Sequence, residues 1–226
     1  MNALLDVNPS SIASTQPKQR RRQLLAIAGL SLLGPVAHGA IIKPNAWTVS
    51  PVDQRSANLC WLASSAMMLS ASVKRSVGMR EVADYLGDPF RSLFYDWTKS
   101  PEAGGLHIEY VPELGKRLGF EANGFASFDL PWWLEQLRFG PLMVFGVNEG
   151  GGSIGHMKVL SDLSGDDSSP HTLIATVLDP NGGVRSRQSF IDFVTFYERA
   201  ASAGTVQIFS FGQYGTPFPS RPYPFG

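Results

Sequence analysis

From Asn58 to about Ser72 the apolar residues Leu59, Leu62, Ala63, Ala66, Met67 and Leu69 recur at three- and four-residue spacing. That spacing predicts a helix that is buried over most of its surface. Asn58 is placed to cap it, which puts Cys60 in the first turn. Ahead of it, Ile41–Pro51 reads as an extended lead-in fixed by Pro44 and Pro51. Met79–Leu86 predicts a second helix stopped by Gly87 and Pro89, and Arg91–Gly105 reads as an aromatic and polar loop. His107–Leu118 predicts a third helix closed by Gly119. Leu130–Phe139 predicts a fourth, with Pro131 in its first turn and Gly140 just past its end.

The pattern then changes. Pro141–Asn148, His156–Asp162, His171–Asp179 and Thr205–Phe211 are short runs of Val, Ile, Leu, Phe and Thr between Gly, Pro, Asp and Ser clusters, which predict strands. Phe190–Ala201 predicts a helix between the last two. The tail from Gln213, rich in Pro and aromatic residues, reads as irregular chain lying against the domain. Helices first and an antiparallel sheet second make an α+β fold, and no repeat or linker divides residues 41–226, which are expected to form one domain.

Residues 1–40 differ from the rest. Lys18 and Arg20–Arg22 face only Asp6 there, and the apolar run Leu24–Val36 follows, with small residues at Ala37, Gly39 and Ala40. This is the order of a signal peptide, and Arg21-Arg22-Gln23-Leu24-Leu25 resembles a twin-arginine signal. An exported protein, periplasmic or secreted, is expected. The run is shorter than the about 20 residues of a spanning helix, so no permanent membrane anchor is expected. The 226 residues carry zero formal charge, and the chain beyond residue 40 is slightly acidic, which gives no footing for nucleic-acid binding.

Cys60 is the single cysteine, so no intrachain disulfide exists. A lone buried cysteine is ordinarily an inert small hydrophobe. Placed at a helix start, with a histidine in reach, it instead has what a thiolate nucleophile requires. Of four histidines, His38 leaves with the signal, His107 lies in the helical half and His171 follows Pro170 at a strand start. His156 opens a strand after Gly150–Gly155 and is the preferred partner. A hairpin of His156–Asp162 with His171–Asp179, taken with residue 162 opposite 171, sets His156 opposite 177 and Asp179 two residues further on. Asp179 would then orient the imidazole, with Asn181 as the alternative. Gln54 and the Cys60 N–H would supply oxyanion donors. Trp61 reads as core. No metal-binding spacing occurs, and Gly150–Gly152 and Asn181–Gly183 read as turns, so neither metal nor cofactor is expected.

The order Gln54, Cys60-Trp61, His156, Asp179 resembles the papain-like cysteine peptidases, in which a Gln precedes the nucleophile by about six residues and Trp follows it. The likeness is to bacterial branches, the bacteriocin-leader peptidases and the avirulence-type effector peptidases. It runs through Leu130–Phe139, Gly140–Phe145, Gly155-His156 and Asp179-Pro180, over roughly residues 50–185. Met157-Lys158-Val159 departs from it by placing a charge where large apolar residues often stand. The resemblance implies a helical half packed on an antiparallel sheet, with peptide-bond hydrolysis through an acyl-enzyme on Cys60. The implied partner is a protein or peptide substrate, and a monomer is expected. Alternatives on the same fold are hydrolysis of peptidoglycan cross-peptides, transglutaminase-like acyl transfer, or an inactive binding protein.

Overall fold

Helix α1 (Cys60–Val73) is buried over most of its surface, with Leu62, Ala63, Ala66, Met67, Met68 and Leu69 fully enclosed. A helix this apolar is stable only when other elements cover it, and each enclosed Leu or Met contributes about 1.5–3 kcal/mol. The computed structural model of the chain describes residues 41–42, 47–100, 104–123, 126–147, 155–200, 208–212 and 215–221. Residues 1–40, expected to hold a signal peptide, residues 148–154 and half of the tail from Gln213 lie outside them. All described elements belong to the unit His38–Gly226.

The strands are β1 (Ile41–Ile42), β2 (Phe120–Asn123), β3 (Leu142–Gly146), β4 (His156–Asp166), β5 (Ile174–Asp179), β6 (Val184–Ser189) and β7 (Ile208–Phe211). All pairings are antiparallel, in the order β2-β7-β3-β4-β5-β6, and β1 adds to the far end of β4. The central strands β3, β4, β5 and β7 are buried on both faces, and alternation sorts their side chains. Met143, Met157, Val159, Leu178 and Phe209 join the core of α1, α2 (Met79–Leu86) and α4 (Val111–Leu118). Leu142, Val144, Leu160, Val177 and Ile208 join a second core with α5 (Leu130–Phe139) and α6 (Phe190–Glu198). The predicted α+β class is the one found, with α5 and α6 closing the far face.

Local chemistry sets the helix ends. Asp129 caps α5 by accepting the Trp132 N–H at 3.3 Å, and Ser189 caps α6 through the Asp192 N–H at 3.0 Å. Gly119 ends α4 with φ +70°, the left-handed conformation glycine adopts freely.

Several expectations are corrected. Leu59, not Asn58, is the N-cap of α1, and no side chain caps it; the turn is closed instead by the Leu59 N–H on the Ser56 carbonyl at 3.2 Å. The expected loop after Pro89 begins with helix α3 (Phe90–Trp97), whose Phe90 and Phe94 are buried. The third helix opens as one 3-10 turn at Ile108–Tyr110, and another such turn, Pro170–Thr172, precedes β5. β4 continues to Asp166. The β4–β5 hairpin exists, but Asp162 faces Thr176 rather than His171, with a bulge between Leu160 and Asp162. The two added strands, β2 and β6, carry few apolar residues.

Candidate active site

Cys60 is the first residue of α1 and His156 the first of β4, so two elements that pack together present their starting residues to one another. Both are buried, at 8% and 7% exposure. The Cys60 side chain lies close enough to the His156 ring to raise its pKa. His156 Nε2 lies 2.7 Å from Asp179 Oδ1, which leaves Nδ1 as the ring nitrogen for the thiol. Asp179 in turn accepts the Asn181 backbone N–H on Oδ1 at 2.9 Å and the Lys158 ammonium on Oδ2 at 2.9 Å. The structure therefore brings Cys60, His156 and Asp179 into one chain of contacts. Asn181 supports the carboxylate through its backbone N–H. His107 and His171 are exposed, and His38 lies outside the described residues.

Burial alone would favour neutral His156. The hydrogen bonds to Asp179 and Cys60 and the charges of both outweigh it, and the imidazolium is raised to about 9. Burial likewise opposes the Asp179 carboxylate. The bonds from His156, Asn181 and Lys158, with the Lys158 charge, hold it down at about 2. At neutral pH the arrangement thus places a cationic imidazole between the Cys60 sulfur and the Asp179 carboxylate.

Gln54 is brought near by the turn after β5. Its N–H donates to the Pro180 carbonyl at 2.9 Å, and Gly183 (φ +61°) lies so close to Asp53 that a Cβ would stand 3.1 Å from its nitrogen. The loop then tightens. Asp53 Oδ1 accepts the Arg55 N–H at 3.0 Å, Arg55 takes a left-handed φ of +60°, and the Ser56 N–H returns to the Gln54 carbonyl at 2.7 Å. Gln54 is 6% exposed, and its Oε1 is the one buried side-chain polar atom without a partner among the described residues. Leaving such an atom unbonded costs about 1–3 kcal/mol. Trp61 is core, as expected, with its Nε1–H on the Gly104 carbonyl at 2.9 Å.

Two clefts meet beside the nucleophile. One, of about 180 Å³, is lined by Cys60, Trp61, Leu106, Val111, Phe145 and Met157 and is mostly apolar. The other, of about 370 Å³, is lined by Asp53, Gln54, Arg55, Ser56, Asn181 and Gly182, and both include Ala57. A larger cavity of about 490 Å³, between Trp47–Val52 and the end of α1, shares no residue with either. Among the described residues no cluster of His, Cys, Asp or Glu is placed to hold a metal ion, and no helix is long and apolar enough to cross a membrane.

A buried α1 carrying the cysteine, the antiparallel sheet carrying the histidine, and a cleft between them define a cysteine peptidase of papain-like fold. A family model described as papain-like cysteine protease AvrRpt2 matches residues 44–198, and the chain belongs to that family. No curated protein matches it. The matched span contains Gln54, Cys60, His156 and Asp179, but also Lys158, whose charge interrupts the apolar run after His156. Its position two residues after His156, on the same face of a strand, is the signal that marks it.

Proposed function

We propose that the protein is an exported bacterial peptidase that cleaves polypeptides through an acyl-enzyme on Cys60. The reading is carried by the contact chain Cys60–His156–Asp179. His156 holds the thiol proton, so that sulfur attacks the substrate carbonyl carbon as thiolate. The first N–H groups of a helix have no intrahelical acceptor, and the Cys60 N–H joins the Gln54 amide in receiving the oxyanion. The imidazolium then gives its proton to the leaving amine. Water, deprotonated by His156, hydrolyses the thioester and restores the thiol. Asp179 keeps the ring in one orientation throughout.

The two clefts give chain on each side of the scissile bond a place to lie, which favours an extended polypeptide substrate. The intact contact chain speaks against an inactive binding protein. The test is the rate of iodoacetamide labelling at pH 6–7 for the parent and His156→Ala, beside hydrolysis of a protein substrate by the parent and Cys60→Ala. Labelling should slow in His156→Ala, and hydrolysis should be absent in Cys60→Ala. Equal labelling in both proteins would refute the pairing. Export rests on Arg20–Arg22, the apolar run 24–36 and the small residues after it. N-terminal sequencing of protein recovered outside the cytoplasm should begin at or near residue 40 or 41, and uncleaved chain confined to the cytoplasm would count against it.

A further inference from the structure

We propose that Lys158 is a positioning residue for the Cys60 reaction, fixing the Asp179 carboxylate so that Oδ1 faces His156. This rests on the proposed roles of Cys60 and His156. His156 and Lys158 share one face of β4, while Met157 and Val159 point into the α1 core. The Lys158 ammonium lies 2.9 Å from Asp179 Oδ2 and 4.6 Å from the centre of the Phe196 ring. Its side chain is 16% exposed, so the ion pair and the cation–π contact act with little screening by water. Among the described residues Asp179 is its anionic partner.

The slot that holds this lysine is built by neighbouring strands and helices. Gly146, opposite His156 on β3, has no side chain, and a Cβ there would come 2.4 Å from the Phe196 ring. The missing side chain lets Phe196 reach under Lys158, and the Val147 N–H on the Phe196 carbonyl at 3.1 Å holds α6 at that place. The carboxylate is thus bonded on both oxygens: His156 and Asn181 take Oδ1, and Lys158 takes Oδ2. A carboxylate held at one oxygen alone can turn about its last bond. Held at both, it keeps one plane and presents Oδ1 to the ring. A neutral side chain at 158 would leave the imidazole bond to hold that orientation with Asn181 alone.

The test uses the full chain and needs no identified substrate. Lys158→Met keeps the stem over Phe196 but removes the charge, Lys158→Arg restores it, and Lys158→Gln covers the case in which the Met variant does not fold. The first readout is iodoacetamide labelling of Cys60 at pH 7. The second, in a Cys60→Ala background, is the downfield NMR signal of the His156 Nε2 proton. Lys158→Met should slow labelling by about tenfold, as a loss of about 1.4 kcal/mol in the pairing implies. It should also shift or broaden the proton signal, and Lys158→Arg should recover most of both. Parent-like labelling and an unmoved proton signal in a folded Lys158→Met would overturn the proposal. So would an equal loss in Met and Arg variants with the proton signal intact, which marks a packing role. Because the proton signal is read without Cys60, it separates failure at Lys158 from failure of the nucleophile assignment.

Discussion

Removing the Asp179 charge should release the imidazole from the acid–base state described above. The displacement of His156 from 6.5 to about 9 corresponds to on the order of 3 kcal/mol in favour of the imidazolium. Burial opposes that displacement, and Asp179 and Cys60 produce it between them. Asp179→Asn keeps the size of the group and loses the charge, while Cys60→Ala removes the thiol. Each single variant should lower the His156 value, and the double variant, in which burial acts without either partner, should titrate below 6.5. NMR titration of the His156 ring protons, assigned against His156→Gln, measures all four proteins. The same displacement governs stability. Because the folded value is the higher one, the contribution is fully present below pH 6.5 and is lost as pH rises through about 9. Urea unfolding of the parent relative to His156→Gln should therefore show the parent's advantage shrinking between pH 6 and pH 10. Asp179 runs the other way, since its folded value is lowered: its contribution is present above 3.8 and is lost as pH falls through about 2. A double variant still titrating at or above 6.5, or an Asp179→Asn protein indistinguishable from the parent, would refute the reasoning.

Two further perturbations test the frame around the site. Arg75 pairs with the buried Glu81 at 2.6 Å, bonds the carbonyls of Pro219, Ser220 and Arg221, and lies over the Phe218 ring. Arg75→Met should cost about 3–5 kcal/mol, the range for breaking a buried pair on one side; a loss below about 1 kcal/mol in urea unfolding would show the C-terminal segment to be anchored elsewhere. Gly146→Ala would drive a methyl group into Phe196, so a destabilisation of about 1–3 kcal/mol is expected, with slower Cys60 labelling as the support under Lys158 shifts. Unchanged labelling in a destabilised Gly146→Ala would uncouple Phe196 from the site.

The helices with strong local punctuation were legible in the chain. Met79–Leu86 and Leu130–Phe139 have the predicted bounds because Gly87, Asp129, Pro131 and Gly140 act within a turn of the ends they set. Helix α3 was also written there, in Phe90, Leu93, Phe94 and Trp97 at helical spacing, but its aromatic composition reads as loop. β6, with Val184 as its single apolar residue, gives no apolar alternation to find, because it is an edge strand with exposed arginines at 185 and 187. The hairpin of His156 with Asp179 was foreseen with the wrong register. Residues 163–166 extend β4 instead of forming loop, and the bulge after Leu160 shifts the pairing again.

The sequence by itself determined that one cysteine begins a buried helix, that few histidines compete to partner it, and that an Asp-Pro turn follows the second hairpin strand. Those features depend on residue type and short-range spacing, which act before the chain is folded. Tertiary structure decided which groups touch. The two cores sort alternate residues of β3, β4 and β5 to opposite faces, and this fixes the register that sets His156 and Lys158 on one carboxylate. Contacts between positions 60, 156 and 179 arise from packing across the whole sheet. No local pattern encodes them, because a slip of one residue would turn each side chain to the other face.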